Sequence, residues 1–112
     1  MSARAETRLW LAQRAGAALL ALCVAVHLVT MIVAVRGGLT ATEILGRTRG
    51  SALWGAFYAV FVIAVSIHAP LGLRTVASEW LAWRGRGADA ACAVIALTLL
   101  ALGLLAVASV TL

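Results

Sequence analysis

Three stretches of this chain run for about twenty residues without a charge, and they decide what it can fold into. Residues 15–35 are interrupted only by Cys23, His27 and Thr30, residues 51–73 are apolar around Ser66 and His68, and residues 90–112 reach the last position with no ionisable group but Cys92. At 1.5 Å per helical residue, each is long enough to cross a hydrocarbon layer of about 30 Å. Composition agrees: 64% of residues are hydrophobic and 12% charged, against about 45–50% and about 25% in soluble domains. The chain therefore reads as an all-α integral membrane protein with three transmembrane helices. It forms one domain over residues 1–112, with spans at about 15–35, 52–76 and 89–111. The first run is longer than the 7–15 apolar residues of a signal-peptide core, and no cleavage-like stretch follows it, so a cleavable signal is not expected.

The few charges mark the ends of these runs. Nine arginines and no lysine give a net charge of +5. Because the arginines flank apolar runs and form no patch, they indicate membrane topology and not a nucleic-acid surface. Residues 1–13 read as an interfacial segment with Trp10 at headgroup level. Residues 39–50 read as a polar loop, and the second helix is expected to continue past Arg74 to about Trp83. Arg84-Gly85-Arg86-Gly87 reads as a turn, and Asp89 suits the first turn of the third helix, where a carboxylate favours the dipole. Trp54 and Tyr58 read as an aromatic belt. Arg4, Arg8, Arg14, Arg74, Arg84 and Arg86 fall on one side, Arg36, Arg47 and Arg49 on the other. The excess places the N-terminus in the cytoplasm and the C-terminus outside. Cys23 and Cys92 lie in apolar runs without CxxC or CxxCH spacing, and read as small buried residues, neither a disulfide nor a covalent haem attachment.

Two histidines inside the spans call for a function. A lone histidine in a membrane helix often serves as polar glue to a neighbouring helix, yet an ionisable side chain at that depth is costly and points to a site. Imidazole is a common ligand of metals and of haem iron. His27 lies about 20 Å from the edge marked by Arg14, and His68 about 9 Å from the same edge at Arg74. Ligands of one iron must share a depth, so the two histidines are expected to serve different sites, each completed by another chain. Gly72, one turn from His68, would let a flat macrocycle approach the backbone, or would serve helix packing. Pro70 is expected to kink the helix. Cys23 and Thr30 flank His27 on its own face, and Gly16 lies three turns below. Arg14 and Arg74 sit at the membrane edge, suited to lipid phosphates, haem propionates or a quinone carbonyl. Glu79 and Trp80 follow at the level where a quinone headgroup meets water; Glu79 could relay protons or pair with Arg74 or Arg84.

Gln13-Arg14-Ala15-Gly16 followed by His27 resembles the first-helix pattern of the membrane anchors of succinate dehydrogenase and fumarate reductase, in which serine or threonine stands where this chain has Ala15. His68-Ala69-Pro70-Leu71-Gly72-Leu73-Arg74 resembles their second-helix motif of histidine, three residues, glycine, a hydrophobic residue and arginine. An acidic and an aromatic residue close it, here Glu79-Trp80 in place of aspartate and tyrosine. The resemblance implies the cytochrome b-type anchor subunit of a succinate:quinone oxidoreductase, forming half of a haem-binding helix bundle. Such a subunit is not catalytic alone. It carries electrons in the respiratory chain and tricarboxylic acid cycle between an iron–sulfur subunit, paired with a flavoprotein on the cytoplasmic face, and quinone in the bacterial inner membrane. By the same resemblance, His68 matches the axial ligand of haem b nearer the iron–sulfur subunit, His27 that of a second haem, and a sister anchor supplies the opposite ligands. Arg14, Arg74, Glu79 and Trp80 match the propionate and quinone region.

Two other readings compete. A haem-free structural anchor would use the histidines for packing or quinone contact. A small multidrug-type transporter of similar length would need an acidic residue deep in the membrane for coupling, and the spans hold none.

Overall fold

The computed structural model describes residues 2–112 as four helices: α1 (Ala3–Arg36), α2 (Ala41–Thr48), α3 (Ala52–Trp80) and α4 (Arg86–Thr111). α1, α3 and α4 are each long and apolar enough to cross a membrane, so the chain is an all-α, multi-pass membrane protein. α3 lies between α1 and α4 and packs along both, while α2 rests on the C-terminal end of α4.

Polar caps set where the helices begin. Ser2 accepts from the N–H of Ala5, Thr40 from that of Glu43 and Ser51 from that of Trp54, in each case occupying a donor that the first helical turn leaves without a partner. α1 stops where Gly38 turns to φ +99° and the Leu39 N–H returns to the Ala34 carbonyl. A glycine takes that left-handed position without steric cost.

Four details differ from the expectations. The N-terminal segment is helical and joined to the first span: α1 is continuous from Ala3, because nothing between Ser2 and Gly37 breaks it. The polar loop after α1 contains α2, an eight-residue helix capped by Thr40 and braced by an ion pair one turn long between Glu43 and Arg47. α3 ends at Trp80, three residues before Trp83, because Ala82 takes φ +51° and the N–H groups of Leu81 and Trp83 both return to the Ala77 carbonyl. α4 begins at Arg86 within the glycine-rich turn, after Gly85 at φ +93°.

α3 remains one helix through Pro70, which is fully buried. The Ser66 hydroxyl donates back to the Val62 carbonyl at 2.7 Å.

One pattern on α1 positions everything that follows. From Leu9 onward, the residues withdrawn from the surface are Leu9, Gln13, Gly16, Leu20, Cys23, His27, Thr30 and Ala34. The steps alternate four and three, a seven-residue repeat that keeps one stripe facing a partner helix and implies left-handed winding. That stripe meets α3 antiparallel: Gly16 lies against His68, Gln13 against Gly72 and His27 against Tyr58.

Candidate functional site

The α1 stripe carries both histidine levels. At the lower one, the Cβ position of Gly16 is 3.7 Å from His68 Cβ, so α1 lies against the base of the imidazole. His68 is half-buried; its Nδ1 is buried and has no hydrogen-bond partner among the described residues. A buried imidazole nitrogen left unpaired costs about 1–3 kcal/mol. One turn further, a Cβ on Gly72 would lie 3.4 Å from Gln13 Nε2, and Gln13 Oε1 is likewise buried without a partner. Within this chain, then, the space over Gly72 receives the Gln13 amide.

At the upper level, His27 stands edge-on to the rings of Tyr58 and Phe61, with centroids 5.9 and 5.7 Å away. Its Nδ1 lies 3.5 Å from the Tyr58 hydroxyl, at the long end of hydrogen-bond distance. These residues line a groove of about 400 Å³ with Val62, Val65 and Leu102. Gly16 and His27 are eleven residues apart on one straight stripe, which puts the two imidazole levels about 16 Å apart along the helix, wider than the roughly 10 Å the arginine positions suggested. Among the described residues no three His, Cys, Asp or Glu side chains come together.

The arginines and the acidic end divide differently from expectation. Arg74 Nε donates to Asp89 Oδ1 at 2.8 Å, joining α3 to α4. Arg84 Nε donates to the Ser78 hydroxyl at 2.7 Å. Both arginines that Glu79 could have paired with are thus held elsewhere. Glu79 and Trp80 are exposed at the end of α3, Trp80 at 82%. Arg74 also borders a cleft of about 410 Å³ with Glu6, Trp10, Gln13 and Thr75, and the exposed Arg14 lies 5.4 Å over the Trp10 ring. The structure therefore gathers Arg74 and Gln13 at one cleft, with Arg14 stacked on the tryptophan at its wall.

Three contacts escape sequence reasoning. Tyr58 meets His27 across two helices, Asp89 reaches Arg74 as well as favouring its own helix end, and a Cβ on Gly103 would collide with both γ-methyls of Val62. No spacing within a single helix encodes which residues of two helices stand opposite each other. A glycine amid the larger residues of α4 was the one visible sign of close approach.

Three membrane-length helices with two imidazoles at separate depths define a multi-pass helical membrane protein. The sequence profile of the succinate dehydrogenase/fumarate reductase transmembrane subunit matches residues 1–108, and the chain belongs to that family. Searches of curated proteins and of solved structures gave no match.

Proposed function

We propose that this chain is the haem b-binding membrane anchor of a succinate dehydrogenase/fumarate reductase complex, linking the iron–sulfur subunit electrically to membrane quinone. The observation that carries this reading is His68: an imidazole inside the membrane, set against a glycine of the facing helix, with a buried nitrogen that no group of the chain satisfies. Polar glue would need a partner on α1 or α4, and none is present among the described residues. A bare metal ion needs several protein ligands, whereas single imidazoles at two depths suit iron whose equatorial positions a macrocycle fills.

Haem b, when bound, supplies a one-electron iron couple. His68 would hold its iron near the Arg74 end, and His27, in its apolar groove, would hold that of a second haem. A sister anchor subunit would supply the remaining ligands. Gly16 admits the backbone close to His68, and Gly72 admits Gln13. Arg14 and Arg74, fixed charges at the membrane edge, hold propionate carboxylates or donate to a quinone carbonyl. Glu79 and Trp80, exposed beside them, serve proton delivery and headgroup contact. Flavoprotein and iron–sulfur subunits dock on this end, which faces the cytoplasm of a bacterial-type inner membrane. Lipid covers the remaining apolar faces.

In the intact complex, His68→Ala is expected to abolish or shift one low-spin b-type absorption band; an unchanged spectrum would sink the assignment. One observation favours a second reading, a haem-free anchor of the same complex: the space over Gly72 is taken by Gln13. Haem quantitation per flavin decides between the two.

A further inference from the structure

Tyr58 stands in the sequence where an interfacial aromatic belt is expected, and its hydroxyl lies 3.5 Å from His27 Nδ1. The ring lies on the same face of α3 as Phe61 and Val62 and meets α1 at the register that pairs Gly16 with His68. We infer that Tyr58 is a positioning residue for His27: its phenol oxygen accepts a hydrogen bond from Nδ1–H, which orients the ring and leaves the Nε2 lone pair for a ligand in the groove that α1, α3 and α4 line together. This rests on the reading of His27 as a haem ligand.

The chemistry selects the direction of the bond. A neutral imidazole has one protonated nitrogen and one lone pair. If the phenol donated to Nδ1, the proton would sit on Nε2, and the nitrogen left to the groove could not bind iron. If Nδ1 donates to the phenol oxygen, Nε2 is the free base. Histidine ligands generally donate their second N–H in this way, which fixes the tautomer and raises ligand basicity. Nothing else polar contacts the His27 ring among the described residues: its other neighbour is Phe61, also edge-on at 5.7 Å. Ring packing and hydrogen bonding are therefore separable at this site, because Tyr58→Phe removes the oxygen and keeps the edge-on ring.

The test uses the purified, membrane-derived complex and redox titration of its haem absorbance. His27→Ala is expected to remove the haem wave that His68→Ala leaves in place. Tyr58→Phe is expected to keep the full haem content while that same wave moves to a higher midpoint potential, since a less basic imidazole favours ferric iron less; the other wave should not move. Unaltered potentials in Tyr58→Phe, with His27→Ala still losing its haem, overturn the role of Tyr58 alone. Retention of all haem in His27→Ala overturns the ligand assignment, and the inference with it.

Discussion

The central helix α3 has two seams, and they are built for different ends. Against α4 it makes its closest approach: Gly103 brings α4 onto Val62, Pro70 is fully buried, and the Arg74–Asp89 pair joins the two helices near the turn. Against α1 it carries Gln13, Gly16, His27 and His68, with two buried polar atoms left unpaired and a groove beside His27. Without a hydrophobic drive between membrane helices, packing and small residues supply association. The α3–α4 pair is thus the scaffold, and the α1 seam is the one that leaves buried polar atoms of Gln13 and His68 without a partner among the described residues.

The same substitution on the two seams gives the sharpest contrast. Gly103→Ala forces a methyl group into Val62 and is expected to cost about 1–3 kcal/mol of helix-packing stability, read as a lower midpoint in thermal unfolding. Val62→Ala in the same chain should recover most of that loss, and absence of recovery would mean that the two residues do not share the contact. Next in size, Asp89→Asn should cost no more than about 1 kcal/mol, because Arg74 and Asp89 are 35% and 54% exposed. Its effect should shrink as salt rises, in thermal unfolding at low and high ionic strength. Gly16→Ala is the smallest: its methyl would sit 3.7 Å from His68 Cβ, an ordinary contact, so a shift within about 0.5 kcal/mol is expected. A large loss there would show the α1–α3 seam to be as tight as the other.

Much of this architecture is legible from residue type alone. Uncharged runs demand helices of membrane length, and arginines mark their ends, so three spans follow before any coordinate. Histidines in apolar runs stand out because their burial is costly. What stayed hidden depends on relations between helices. That Gly16 would face His68, that Tyr58 would face His27 and that Asp89 would claim Arg74 all follow from register, which antiparallel helices set by packing along their whole length. The short helix α2 was obscured for another reason: its polar sequence balances loop and helix, and its dock on α4 tips the choice.

That dock has a temporal meaning. The Thr48 hydroxyl donates to the Val110 carbonyl at 2.7 Å and the Gly50 N–H to the Thr111 carbonyl at 2.8 Å, joining residues sixty-odd positions apart. Both acceptors belong to the last turn of α4, whose carbonyls have no partner within their own helix. Neither bond can form until α4 has been synthesised and has crossed the bilayer. The first hairpin therefore carries an unfilled latch until the third span is in place to receive it.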